Sequence, residues 1–183
     1  MNFCPACGHR VELLVPPGDN RLRHVCAGCG AIHYDNPKMV LGTVPVWEGR
    51  VLLCRRAIEP RHGFWTLPAG FMENDETTVE GAARETLEEA GARLEMGALF
   101  SMLDVPHVRQ VHLFYRARLL DLDFAPGPES LEVALFDEAE VPWPELAFRT
   151  VAQTLRWYFD DRREGRFGMH VGTITYPPKP SEA

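Results

Sequence analysis

The sequence predicts an α+β protein in which a mixed β-sheet lies between helices and follows a small cysteine-bearing unit. Four of the five cysteines lie before residue 30, which separates that unit from the rest. Beyond it, apolar β-type runs and helical patterns follow in the order strands, helix, strands, helix, an order typical of a mixed sheet covered by helices. A chain of 183 residues has room for one domain of usual size and a small appendage.

The N-terminal unit, residues 1–36, carries two Cys-x-x-Cys-Gly knuckles: Cys4 with Cys7, and Cys26 with Cys29. Glycine permits a tight turn that directs both thiolates of a pair to one ion, and four thiolates complete a tetrahedral zinc shell. The alternatives are two disulfides, which a reducing compartment disfavours, or four thiols without a metal. We expect a Cys4 zinc ribbon whose Zn²⁺ is structural, because no coordination position stays open for chemistry.

The larger unit, residues 37–165, begins after the turn-like segment "YDNPK". The runs "MVLGTVPVW" and "RVLLCRR" predict two strands joined as a hairpin at "EG". Further strands are predicted at "LFSMLDV", "VHLFYRARL" and "SLEVALF", and a last amphipathic helix at "FRTVAQTLRWYFDDRRE". Residues 166–183 are expected to form a C-terminal extension with a frayed end, "YPPKPSEA".

The helix between the two groups of strands has clear start and stop signals. Thr77 and Glu80 have the spacing of a capping box, and Gly91 suits a helix C-terminus. We therefore expect a helix that begins just after Thr77 and ends near Gly91.

Three glutamates, Glu85, Glu88 and Glu89, lie close together in the second half of this helix. Each like-charge pair three or four residues apart costs roughly 0.2 to 0.5 kcal/mol, and the negative end of the helix dipole adds a similar penalty. A solvated charged face would include lysines, but no Lys stands between Glu85 and Gly91. Because carboxylates suit Mg²⁺ or Mn²⁺, the cluster predicts a divalent metal site.

The stretch "GFMENDETTVEGAARETLEEAGA", from Gly70 to Ala92, resembles the Nudix box, G-x5-E-x7-R-E-U-x-E-E-x-G-U with U aliphatic. The fixed positions that match are Gly70, Glu76, Arg84, Glu85, Glu88, Glu89 and Gly91. Thr86 and Ala92 depart from the pattern at aliphatic positions, which affects packing more than chemistry. The resemblance implies an α/β/α Nudix sandwich that hydrolyses a nucleoside diphosphate linked to another moiety.

The resemblance also implies roles for the matched residues. The three glutamates would bind the catalytic metal, and Gly70 would offer its carbonyl to the same ion. Arg84 and Glu76 would form an ion pair that holds the loop against the helix. The alternative for that pair is a surface contact worth under about 1 kcal/mol.

Nearly the whole chain is similar to Nudix hydrolases with an N-terminal zinc ribbon. The segments "NPKMV", "HGFWTLPAGF", "FAPGPESLE" and "HVGTI" resemble plant chloroplast Nudix hydrolases that act on FAD and ADP-ribose. NADH pyrophosphatases also combine a ribbon with this box, but the "SQPWPFPxS" motif associated with them is absent from the sequence. The resemblance therefore implies ADP-ribose or FAD as substrate, with NADH as the alternative.

Two carboxylates outside the box, Glu129 and Glu132, fall where some Nudix enzymes bring a further metal ligand or a general base. Glu129 matches better by position. Alternate polar positions of a half-buried strand would look the same, so both interpretations stay open.

Four more residues are candidates for binding substrate. Arg55 and Arg56 follow a predicted strand, and their guanidinium groups suit phosphate, although one of them could simply be solvated. Phe64 and Trp65 are candidates to stack on a base or an isoalloxazine ring, although aromatics beside a core strand often pack inward.

The overall charge limits the kinds of partner that the protein is expected to attract. A net charge of −7 argues against broad attraction to nucleic acid or anionic lipid. With no leader-like N-terminus and no run near the ~18 apolar residues of a membrane helix, we expect a cytoplasmic protein with a small nucleotide as partner and no membrane. An ADP-ribose sensor and an RNA-binding module remain as alternatives of another class, and a homodimer is compatible with the sequence.

Overall fold

A computed structural model describes residues 1–175, so the predicted frayed end "YPPKPSEA" lies outside the described residues. The chain forms two compact units that divide between Pro37 and Lys38. The N-terminal unit is a three-stranded antiparallel sheet. Its strands are β1 (Val11–Leu14), β2 (Arg23–Cys26) and β3 (Ile32–His33).

The second unit is built on an eight-stranded mixed sheet. Its strands are β4 (Lys38–Trp47), β5 (Arg50–Arg56), β6 (Trp65–Thr66), β7 (Ala69–Phe71), β8 (Leu94–Val105), β9 (Gln110–Leu119), β10 (Ser130–Phe136) and β11 (His170–Thr173). The order is β10-β5-β4-β9-β8-β11, with β6 paired to β5 and β7 to β4. The β4–β9 and β8–β11 pairs are parallel and the others are antiparallel.

Two α-helices accompany this sheet, α1 (Thr78–Ala90) and α2 (Arg149–Glu164). The predicted capping box of Thr77 and Glu80 is present, and Gly91 ends α1 with a left-handed φ of 61° that suits glycine. Within the described residues, no helix is long and apolar enough to cross a membrane.

Alternate residues of the central strands pack against different helices, because successive side chains of a strand point to opposite faces. On β5, Leu53 packs in one cluster with Leu155 of α2, whereas its neighbour Cys54 packs in another with Ala90 of α1. The sheet therefore lies between the two helices, and the predicted α/β/α sandwich is confirmed.

One departure from the box pattern has a structural explanation at Thr86. Its hydroxyl lies 2.7 Å from the Thr43 hydroxyl of β4 and 2.9 Å from the Ala82 carbonyl oxygen, and both threonines are fully buried. A polar pair replaces an aliphatic contact between α1 and the sheet, with both hydroxyls satisfied.

The last strand, β11, was not predicted from the sequence. His170 anchors it, because its ring stacks on Trp157 of α2 at 4.9 Å and its Nε2 lies 3.0 Å from Asp161 Oδ2. Exposure alternates along the segment, so that Gly172 and Ile174 share the partly buried side with His170. The segment "HVGTI" is therefore packed against α2.

Candidate active site and metal sites

Gly70 brings the backbone of β7 directly against α1. The pairing of β7 with β4 places Gly70 opposite Leu41. A Cβ atom at Gly70 would lie 2.3 Å from the Glu85 carboxylate, so any larger residue there would displace that carboxylate. The Glu85 carboxylate therefore lies directly against the β7 backbone at Gly70.

Arg84 ties the loop that follows β7 to α1. Its Nε and Nη2 donate to the two carboxylate oxygens of Glu76 at 2.9 and 2.8 Å, and Nη2 also donates to the Phe71 carbonyl oxygen at 3.1 Å. The hydrogen bonds from Arg84 lower the pKa of Glu76 to about 2. The Glu76 side chain is only 14% exposed, which makes this bidentate pair more than a loose surface contact.

The same guanidinium contacts two of the three glutamates. Arg84 Nη1 lies 2.8 Å from Glu85 Oε1 and 3.1 Å from Glu88 Oε2. From the sequence, the glutamates are expected to repel one another, and Arg84 is expected to pair with Glu76 alone. That account was incomplete, since Arg84 offsets part of the like-charge penalty in the metal-free protein.

Glu89 is the most buried of the three glutamates. Only 6% of the residue is exposed, and Oε2 accepts a hydrogen bond of 3.1 Å from the Ala69 amide. Burial raises the pKa of Glu89 to about 8, and burial also raises the pKa of Glu85. Arg84 offsets only part of the negative charge of the three glutamates, so the donor set still fits a divalent cation of the Mg²⁺ or Mn²⁺ type.

An acidic cleft of about 710 Å³ opens at these residues, and Glu129 joins them in its lining. The loop that carries Glu129 is docked on the end of α1, where the Gly127 amide donates to the Glu89 carbonyl oxygen at 3.0 Å. Glu132 does not line the cleft. It is an exposed residue of β10, and its Oε2 lies 3.7 Å from Arg55 Nη1. This agrees with the alternative interpretation, in which Glu132 is a polar position of a half-buried strand.

A second, smaller cavity of about 300 Å³ adjoins the cleft. The two share five lining residues, Arg56, Pro60, Ala69, Gly70 and Phe71. Most other walls of the cavity are apolar. The arrangement therefore joins an acidic site to a largely apolar one through a common wall.

The four predicted substrate-binding residues lie in different surroundings in the structure. Arg56 lines both sites, is buried, and lies over the Phe148 ring at 5.1 Å. Trp65 belongs to the core and makes an edge contact with Phe136 at 4.9 Å, so its ring is not available for stacking on a ligand. Neither Arg55 nor Phe64 is among the residues that line the cleft or the cavity.

Several polar residues of the cavity were not predicted from the sequence, among them Gln110 and His112. They lie 2.9 Å apart through Oε1 and Nε2, and burial lowers the pKa of His112 to about 4. The signal was present, since the alternation of β9 puts Gln110, His112 and Phe114 on one face.

The four knuckle cysteines are free thiols whose Sγ atoms all lie within 4.8 Å of one another. Cys4 and Cys29 are separated by 3.8 Å between sulfurs, and Cys7 and Cys26 by 3.3 Å. Zn–S bonds of about 2.3 Å in a tetrahedron place sulfurs about 3.8 Å apart. The cluster therefore fits one zinc ion, and no pair is joined as a disulfide.

Fold and site together define an α/β/α protein with a carboxylate-rich cleft suited to divalent cations. A family model described as the NUDIX domain matches residues 39–158, and one described as the Nudix N-terminal zinc ribbon matches residues 2–35. The chain belongs to the Nudix family and begins with the N-terminal zinc ribbon of that family.

Two curated relatives are named NAD-capped RNA hydrolase NudC. The protein of Vibrio atlanticus is 34% identical over 93 residues, which are 50% of this chain and 32% of the relative. The protein of Stutzerimonas stutzeri is 26% identical over 166 residues, 90% of this chain and 58% of the relative. The chain therefore spans only a third to somewhat over half of these relatives.

Solved structures agree on the fold. A crystal structure of a NUDIX hydrolase from Nitrosomonas europaea has a TM-score of 0.93 and 53% identity, covering 96% of this chain and all of that one. An ADP-ribose pyrophosphatase from Streptococcus suis has a TM-score of 0.60 and 24% identity, covering 76% of this chain and all of that one. The second likeness concerns the fold alone.

Proposed function

We propose that the protein hydrolyses the pyrophosphate bond of ADP-ribose, FAD or both, giving AMP together with ribose 5-phosphate or FMN. The observation that carries the proposal is the continuity of the acidic cleft with the cavity. A dinucleotide-like substrate has a charged middle and a ring at an end. The cleft suits its pyrophosphate once cations are bound, and the cavity suits a ring.

The roles follow from what a pyrophosphate requires. Glu85, Glu88 and Glu89, with the Gly70 carbonyl, would hold Mg²⁺ or Mn²⁺, which neutralises phosphate oxygens and lowers the pKa of a bound water. Arg84 would keep the carboxylates oriented through its contacts with Glu85 and Glu88.

Two further residues face the same substrate. Arg56 lies on the wall shared by cleft and cavity, where its guanidinium would contact a phosphate. Glu129 would act as a general base or as a further metal ligand, since it lines the cleft and belongs to a loop fixed on α1.

NADH is a second candidate substrate, because the curated relatives are named for hydrolysis of NAD-capped RNA. NADH shares the AMP half with ADP-ribose and FAD, so the same cleft and cavity would accept it. An RNA extension would have to leave the cavity, and the net charge of −7 gives no broad attraction for it.

A substrate panel tests the proposal. Purified protein with Mg²⁺ is incubated with ADP-ribose, FAD and NADH, and the nucleotide products are resolved by chromatography. We expect AMP from at least one substrate and none from Glu85→Gln protein. If the wild type binds these compounds but releases no AMP from any of them, a sensing role replaces the catalytic one.

A further inference from the structure

The zinc ribbon has almost no apolar interior of its own. Within residues 1–37, only Cys4, Pro16 and Cys26 are buried. The second unit, by contrast, packs large side chains such as Phe100 and Leu155 into its core. A unit as small as the ribbon buries too little surface to fold on apolar contacts alone, so bound metal must supply its folding free energy. Loss of zinc would therefore unfold the ribbon.

The four zinc-site cysteines differ in exposure according to their place in each knuckle. The first cysteine of each knuckle, Cys4 or Cys26, is 2% exposed, whereas the second, Cys7 or Cys29, is an exposed residue. A cysteine that binds zinc is a thiolate, and the thiolate is the form that attacks oxidants. A dissolved oxidant therefore has readier access to Cys7 and Cys29 than to the two buried cysteines.

Each exposed cysteine lies beside a buried cysteine of the other knuckle. Cys7 Sγ is 3.3 Å from Cys26 Sγ, and Cys29 Sγ is 3.8 Å from Cys4 Sγ. Because an S–S bond is about 2.05 Å long, the two sulfurs of either pair need to approach by only about 1 to 2 Å to form one. Each exposed thiolate thus has a second thiolate beside it that can react with it once it is oxidised.

Cys54, the fifth cysteine, has none of these properties. It lies on β5, is 1% exposed, and burial raises the pKa of its thiol. A protonated cysteine buried in apolar surroundings is inert toward oxidants. Cys54 therefore provides a reference within the same chain for oxidation at the ribbon.

We infer that Cys7 and Cys29 are sites of oxidative modification, at which hydrogen peroxide forms disulfides across the two knuckles. The inference is independent of the proposed function, because none of the four zinc-site cysteines lines the acidic cleft or the cavity. Peroxide would unfold the ribbon and leave the glutamates of the cleft unmodified.

The reaction has two steps. The exposed thiolate attacks one oxygen of hydrogen peroxide, which gives a sulfenic acid and a hydroxide ion. The buried thiolate beside it then attacks the sulfenic sulfur, which forms the S–S bond and releases a second hydroxide ion. The two thiolates lose two electrons, and the peroxide gains them. A disulfide sulfur is no longer an anionic ligand, so the ribbon loses its zinc and with it its fold.

The test adds hydrogen peroxide to the purified full-length chain and follows zinc and disulfides separately. A chromogenic chelator measures the zinc released, and we expect about one ion per chain with peroxide and none without it. Dithiothreitol followed by added zinc should restore the bound metal. Cys54 should be recovered as a free thiol.

Peptide mapping without reduction identifies the disulfides. Trypsin cleaves after Arg10 and Arg23, so the two knuckles fall on different peptides. A disulfide across the knuckles joins these peptides, whereas one within a knuckle joins none. We expect the joined peptides, and their fragmentation should pair Cys7 with Cys26.

The double variant Cys7→His, Cys29→His removes both exposed thiolates and keeps four zinc ligands, because imidazole also binds zinc. Its zinc content before oxidation verifies that the site is intact. We expect peroxide to release zinc from it at least about tenfold more slowly than from the wild type. Cys54→Ala is the control, and it should release zinc at the wild-type rate.

Three results would overturn the inference, and two of them need only the wild-type protein. One is zinc that stays bound in excess peroxide. Another is zinc release with disulfides confined to single knuckles or with no disulfide at all. The third is a zinc-loaded double variant that releases its zinc as fast as the wild type, which would show that the exposed thiolates are not the ones that react.

Discussion

Arg84 reduces the repulsion that the sequence predicts among the glutamates of α1. From the sequence, the glutamates of this helix repel one another until a cation binds. In the structure, Arg84 Nη1 lies between Glu85 and Glu88, which offsets part of that repulsion without any metal. Glu88 is the exposed member of the set, with 58% of its side chain accessible, so its contact with Arg84 contributes little to folding.

Glu88→Gln should therefore separate stability from activity. The lost contact with Arg84 and the relief of like-charge repulsion are of similar size and opposite sign, so the free energy of unfolding in EDTA should change by less than about 0.5 kcal/mol. Turnover in Mg²⁺ should fall roughly 100- to 1,000-fold, by analogy with the loss of one group that stabilises transition-state charge. Chemical denaturation and steady-state rates on one preparation measure both.

The exposed Glu140, on the loop after β10, offers the same substitution away from the cleft. Glu140→Gln should retain wild-type turnover. Near-normal turnover in the Glu88→Gln protein would show that Glu88 is not a metal ligand and belongs instead to a solvated helix face.

His112 makes the fold sensitive to acid. Burial lowers its pKa from 6.5 to about 4, so between these values the unfolded chain binds more protons than the native one. Stability should then fall as pH falls through this window. His112→Gln removes this contribution. When the pH is lowered from 7 to 4.5, the free energy of unfolding should therefore fall by on the order of 2 kcal/mol less in the His112→Gln protein than in the wild type.

Urea denaturation at several pH values measures the effect. His62 is an exposed histidine of the same unit, and His62→Gln should follow the wild-type pH profile. Parallel profiles for the wild type and His112→Gln would mean that His112 does not link protonation to folding.

Periodic local patterns are what made much of the fold predictable. The capping box at Thr77, the glycine at position 91 and the apolar runs of β5 and β9 depend on residues close in sequence, and each predicted an element that the structure contains. β11 has only four residues and owes its position to Trp157 and Asp161, contacts that no local pattern reveals.

The residues of the site also divide into those that a local sequence pattern predicts and those that it does not. Gly70 and the glutamates of α1 are encoded in one motif, whereas Thr150 and His112 reach the cavity from α2 and β9. Their polar side chains look ordinary within amphipathic elements. Trp65 fits both a stacking platform and a core residue by sequence, and burial decides for the core.

The loop between β9 and β10 depends on its contact with α1. A Cβ atom at Gly127 would overlap the Glu88 carbonyl oxygen, which is backbone and cannot move aside cheaply. The Gly127 amide also donates to the Glu89 carbonyl oxygen. Glycine at this position therefore fixes where Glu129 enters the cleft.

Gly127→Ala should displace this loop and with it Glu129. Because a misplacement of about 1 Å in a catalytic group can cost about 100-fold, we expect turnover to fall by roughly that factor. Gly168→Ala is the control, since a Cβ atom there would meet nothing within 4 Å. Steady-state kinetics of both variants, with melting curves to verify folding, measure the effect, and equal rates would show that Glu129 is dispensable.

At the scale of the whole molecule, the two units offer metal ions different kinds of ligand. Four thiolates can surround zinc completely, whereas the glutamate cleft leaves room for water and substrate. A closed thiolate shell exchanges slowly, and an oxygen site with bound water exchanges readily.

Brief treatment with mild EDTA should therefore abolish activity without removing zinc. Mg²⁺ or Mn²⁺ alone should restore the rate, and elemental analysis should find about one zinc per chain throughout. Recovery that required added zinc would show that the catalytic ion had been assigned wrongly.

Where β11 pairs with β8, it covers residues Ser101 to Asp104 at the border of the sheet. Without it, the amide and carbonyl groups of that segment would face outward and could pair with a strand of another molecule, which is a common route to aggregation. The few residues after α2 thus protect the protein in concentrated solution as well as completing its cavity. A shortened protein that ends at the last residue of α2 would keep every glutamate of the cleft. It would lack β11, and the edge of β8 would be exposed.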